Sequence, residues 1–111
     1  MTTKDFKSFN NSIEKIIKTY NGVGIENTFN ASLKRFTIET KFGLLNVSLE
    51  TEKSTCNLYT IFTRFEEIEK VNILALEGFV LNRYSGKCNF HDTNPTYIIN
   101  NFSLLLDTIC P

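Results

Sequence analysis

Residues 84–91 read YSGKCNFH, and they hold the chain's only histidine, one of its three cysteines and a lysine. Several chemistries use such residues, and spacing separates them. A phosphate-binding loop needs the longer GxxxxGK[ST] pattern to wrap phosphate in backbone donors. Here one glycine precedes Lys87 and a cysteine follows it, so Ser85-Gly86-Lys87 reads as an ordinary turn. A thiolate nucleophile needs its base within hydrogen-bond reach. Cys88 and His91 are three apart, and a strand sends such residues to opposite faces. His91 suits proton transfer near neutrality, but its neighbour Asp92 points away on the same strand. One histidine and the dispersed Cys56, Cys88 and Cys110 make no zinc spacing. Recognition remains. Lys87, Asn89 and His91 form a polar stripe, while Cys88 and Phe90 face inward. The stripe suits a carboxylate or phosphate, or is the solvated face of a plain hairpin.

The elements that position this stripe follow from periodicity. Residues 4–20 place Phe6, Phe9, Ile13, Ile16, Ile17 and Tyr20 at helical spacing, and Asn21-Gly22 ends the helix. The period then becomes two. Phe36, Ile38 and Thr40 share one face, Lys41-Phe42-Gly43 turns, and Leu45, Val47 and Leu49 return as the second arm of an antiparallel hairpin. Residues 57–65 are the strongest strand signal, rich in aromatic and β-branched residues. Residues 66–76 read as a short helix closed by Gly78, and residues 79–82 and 87–91 as a second hairpin with YSGK at its tip. Asn94 and Pro95 start a last helix, with Ile98, Phe102, Leu105 and Ile109 on one face and Leu104 and Leu106 widening it.

The expectation is one α+β domain over residues 1–111. A small antiparallel sheet of about four or five strands packs against the N- and C-terminal helices, in the order α-β-β-β-α-β-β-α. Phe62, Phe90, Phe102 and Leu105 are expected in one core. The terminal helices also offer a route to homo-oligomers.

Composition narrows the function classes. Twelve basic and twelve acidic residues balance to zero net charge. Proteins that grip phosphate backbones without sequence preference carry a positive excess, so nonspecific nucleic-acid binding is not expected. A local patch still requires only that folding gather Lys34, Arg35, Arg64, Arg83 and Lys87. An odd cysteine count at these spacings fits free thiols in a reducing compartment. Residues 1–12 lack the apolar run of a signal peptide, and no apolar stretch reaches bilayer length. A cytoplasmic protein without membrane, metal or cofactor is expected.

The segments KFGLLNVSLE, LYTIFTRFEE and NRYSGKCNFH, in that order, resemble a small uncharacterised family of bacteriophage and prophage proteins. In that family a strand pair bearing a glycine precedes an "iFtRFe" segment and an "SGKxN[FW]H" segment. The resemblance spans residues 41–91 and rests on Gly43, Arg64, Phe65, Ser85, Gly86, Lys87, Asn89 and His91. It implies a phage accessory role acting on a host protein in the host cytoplasm, such as inhibition of a bacterial defence system, a CRISPR nuclease among them. Such an inhibitor needs a complementary surface and no catalytic motif.

The candidate binding residues are therefore Arg64, Arg83, Tyr84, Lys87, Asn89 and His91. Tyr84 is the anchor, because tyrosine joins large contact area to a hydroxyl. A non-enzymatic binding protein is the first reading. A nucleic-acid binder using Arg64, Arg83 and Lys87 is the alternative, and a folded electropositive stripe would favour it. A small enzyme centred on His91 is the third.

Overall fold

The computed structural model describes residues 3–26, 32–52, 58–67, 81–82 and 84–111. Two helices, α1 (Thr3–Thr19) and α2 (Pro95–Ile109), enclose in sequence five strands: β1 (Val23–Ile25), β2 (Leu33–Thr40), β3 (Gly43–Glu50), β4 (Tyr59–Phe65) and β5 (Phe90–Asp92). The strands form one sheet in chain order, and every neighbouring pair is antiparallel. This is the α+β architecture expected. The expected helix over residues 66–76 and most of the strand at 79–82 lie outside the described residues. Among the described residues no helix is long and apolar enough to cross a membrane.

Helix α1 forms because its apolar residues recur every three or four positions, so Phe6, Phe9, Ile13 and Ile17 all fall on the buried side. It stops where Asn21 takes a left-handed conformation, φ 61°. There the Gly22 amide donates to the Ile17 carbonyl at 2.8 Å. Gly22 is also sterically required. A Cβ on it would stand 2.2 Å from Ile17 Cγ2 and 2.8 Å from the Ile17 carbonyl oxygen.

The β2–β3 hairpin pairs from Leu33↔Glu50 to Thr40↔Gly43 around the two-residue loop Lys41-Phe42. Gly43 sits at φ +109°, a region L side chains rarely enter. Thr40 closes the loop: its hydroxyl donates to the Gly43 carbonyl at 2.6 Å and accepts from the Phe42 amide at 3.1 Å. The Lys41 amide reaches the Ile109 carbonyl at 2.8 Å, which ties this turn to the end of α2. Helix α2 starts as its sequence indicates. Asn94 accepts from the amides of Thr96 and Tyr97, and Pro95 holds the first helical position.

Both helices cover one face of the sheet. Phe36, Ile38, Leu45, Val47, Leu49, Ile61 and Phe65 meet Ile13, Ile17, Phe102 and Leu105 in a single buried cluster. Three sequence expectations change. Phe62 is not in this core. Alternation buries Tyr59, Ile61, Thr63 and Phe65, and Phe62 shares the other parity with Thr60 and Arg64. Leu104 does not widen the buried stripe of α2 but is exposed, whereas Leu106 is fully buried. Strand β1 was not expected, being too short and too exposed to show a period.

Candidate functional site

Strand pairing places a defined set of residues on the sheet face away from α1 and α2. Arg35 stands opposite Ser48, and Ser48 opposite Phe62. Asn46 stands opposite Arg64, and Arg64 bridges to Lys87. Thr60 stands opposite His91. Opposed residues share a face, so the outer side chains of four successive chain segments converge. They enclose a shallow concavity of ≈ 510 Å³, whose lining includes Arg35, Phe62, Arg64, Glu66, Lys87 and Asn89.

The opening octapeptide is a hairpin tip, as its turn residues indicate. Asn82 organises it. Its side-chain oxygen accepts from the Tyr84 and Ser85 amides at 3.1 and 3.3 Å, and its carbonyl accepts from the Gly86 amide at 2.8 Å. Gly86 takes φ 68°. The chain then returns along β4. Lys87, Asn89 and His91 are exposed, while Cys88 is buried and Phe90 half-buried. The expected division of faces is therefore present. Phe90 packs edge-on against Phe102, with ring centroids 6.1 Å apart.

Two contacts here are not regular ladder bonds. The Cys88 amide donates to the Thr63 carbonyl at 3.1 Å. The Thr63 amide, however, donates to Asn89 Oδ1 at 3.1 Å, and the Thr63 hydroxyl takes the Cys88 carbonyl. Asn89 thus supplies a side-chain acceptor to the backbone of β4. Because a backbone N–H only donates, the atom facing it is the amide oxygen, and the Asn89 Nδ2 donors are left on the concave side.

Positive charge predominates on the face. Among the described residues Arg35, Arg64 and Lys87 form no ion pair. The carboxylate in the lining is Glu66, which accepts from Asn46 Nδ2 at 3.3 Å. Lys34 does not join the other cations. It belongs to the helix-side parity of β2 and pairs with Glu14 of α1 at 3.1 Å.

The candidate residues divide accordingly. Arg64, Lys87 and Asn89 come together in the concavity. His91 borders it, edge-on to Phe62 at 5.8 Å, with Nδ1 3.2 Å from the Thr60 hydroxyl. Tyr84 is 94% exposed at the hairpin tip and does not line the concavity. Arg83 lies outside the described residues. Asn46, Phe62 and Glu66 escaped the candidate set, and Arg35 entered only as a possible member of a basic patch. Parity within each strand was available as a signal for them, but the register between strands was not.

Cys88 and His91 occupy opposite faces, so they form no nucleophile–base pair. Burial pushes the Cys88 thiol up to about 11, which keeps it protonated near neutrality. Cys110 is also raised, first by burial and then by Asp107, with Lys41 acting in opposition. Asp92 accepts from the Asn94 amide at 2.7 Å and so helps start α2. Among the described residues no group of three or more His, Cys, Asp or Glu side chains is placed to hold a metal ion.

Comparison with protein-family models, curated proteins and solved structures found no match.

Proposed function

We propose that this chain is a non-enzymatic binding protein that presents the outer face of its sheet to an acidic surface of a partner protein. The observation that carries this reading is the convergence of Arg35, Arg64 and Lys87 around Phe62, with no carboxylate paired to any of them among the described residues. Desolvated arginine and aromatic groups are the usual centres of protein interfaces. Tyr84, almost wholly exposed beside this face, adds a peripheral anchor. The phage resemblance supplies the partner class we propose, a host protein, and a component of a bacterial defence system such as a CRISPR nuclease is the first to try.

Phe62 among cations also favours a second reading, a single-stranded nucleic acid with one base stacked on the ring. Zero net charge weighs against it, and so does the outer parity of β4, where Phe62 is the one aromatic beside Thr60 and Arg64, since sheet platforms for RNA stack two or three bases. A pull-down from bacterial lysate separates the readings. We expect a nuclease-resistant protein partner with the wild-type chain, and its loss with folded Arg64→Glu and Lys87→Glu variants. A signal abolished by nuclease would select the second reading. Retention of the partner by both charge reversals would place the functional surface elsewhere.

A further inference from the structure

The concavity contains more than positive charge. Arg35, Arg64 and Lys87 offer donors only, whereas Glu66, Asn46 and Ser48 carry acceptors in the lining. Arg64 and Lys87 bring guanidinium and ammonium protons from adjoining backbone positions. Asn89 lies two residues beyond Lys87, on the same side of the returning chain, and lines the same concavity. An asparagine normally offers a ligand either end of its amide. Here the Thr63 amide donates to Oδ1 at 3.1 Å, which fixes that end of the amide against β4 and makes Nδ2 the end free to donate to a ligand. The backbone of β4 thereby fixes the polarity of a side chain that sequence alone leaves undecided.

We infer that Arg64, Lys87 and the Asn89 Nδ2 group form an oxyanion subsite that receives a carboxylate from an acidic segment of the partner. This rests on the binding reading above and specifies its central contact. A planar guanidinium and a fixed amide match the two oxygens of a planar carboxylate. Glu66, held by Asn46 in the same concavity, offsets part of the positive charge and so reduces the advantage that a dianionic phosphate draws from the three cations. Asn89 is thus a specificity residue whose oxygen serves the fold and whose nitrogen serves the ligand.

The test uses the full-length, isotope-labelled protein and three probes: a glutamate-rich peptide, inorganic phosphate and oligothymidylate. Two-dimensional NMR follows the backbone amides of Arg64 and Lys87 and the side-chain NH₂ signals of Asn89. We expect the peptide to shift all three sites together, with the Asn89 NH₂ protons moving in the sense of a new hydrogen bond. Asn89→Asp keeps an oxygen for the Thr63 amide but replaces the outward donor. It should stay folded and bind the peptide about tenfold or more weakly, through one lost hydrogen bond to a charged group and repulsion from the new carboxylate. If Arg64 and Lys87 respond while the Asn89 NH₂ signals stay still, the subsite is wrong and the binding face survives. If none of the three sites responds to any probe, the face itself is wrong, and the subsite falls with it. A stronger response to phosphate or oligothymidylate than to the peptide overturns the carboxylate assignment.

Discussion

Phe62 and Phe102 are the same residue type in opposite circumstances, and the difference decides what each does. Phe102 is fully buried where α2 meets the sheet. Phe102→Ala should cost about 3–5 kcal/mol, the usual loss for deleting a buried phenyl ring. Phe62 faces away from the core beside His91, so Phe62→Ala should lower the denaturation midpoint far less while weakening partner binding. Equal midpoint losses would return Phe62 to the core. Parity within β4 was legible and would have placed Phe62 correctly, but Thr63, a polar residue at a core position, obscured it. Its hydroxyl is satisfied by the Cys88 carbonyl, a contact that no local pattern announces. Cys88 itself gives a pH prediction. A thiol whose folded-state value is raised stabilises the fold fully below its unfolded value and loses that contribution as pH rises. The window runs from 9.0 to about 11. Across it, chemical denaturation should show the wild-type protein losing stability more steeply than Cys88→Ala; parallel slopes would mean that the thiol is solvated.

At the scale of elements, what was legible had local causes. Helix α1 and the β2–β3 hairpin each carry their period, and Asn94-Pro95 marks the start of α2. The Asn94 side chain satisfies two amides that the first turn leaves without partners. Asn94→Ala should therefore cost about 1 kcal/mol, and Asn94→Asp, which retains the acceptor, only a fraction of that. Thermal unfolding followed by circular dichroism checks both, and an unchanged alanine variant would show that Pro95 alone suffices to start the helix. Strand β1 was not legible because its cause is not local. Three exposed residues have no measurable period, and Val23–Ile25 becomes a strand only by pairing with Thr37, Phe36 and Arg35 of β2. The Asn89–Thr63 contact is of the same kind, joining residues 26 positions apart.

For the whole molecule, zero net charge conceals an uneven distribution. Arg35, Arg64 and Lys87 come from three chain segments and meet on one face, while Lys34, adjacent in sequence to Arg35, turns to Glu14 on the other. Composition could not reveal this, since it depends on register between strands. Its consequence is a small cationic face on a neutral protein, and that sets a limit on nucleic-acid binding. Each phosphate neutralised on duplex DNA contributes a salt slope of about −0.9, so the three cations that the described residues place on this face contribute a slope of about −3 at most. Lys7, Lys15 and Lys18 are exposed on α1 across the sheet, and a straight duplex touching one side does not reach them. The chain should therefore bind random-sequence duplex DNA more weakly than micromolar at about 150 mM salt, in the range of nonspecific binding. Fluorescence anisotropy over a salt series measures both quantities. A steep slope with tight, sequence-independent binding would require cations beyond this face and would make nucleic acid the principal ligand. A shallow slope with weak binding, beside measurable affinity for an acidic peptide, is the outcome that a carboxylate-receiving face demands.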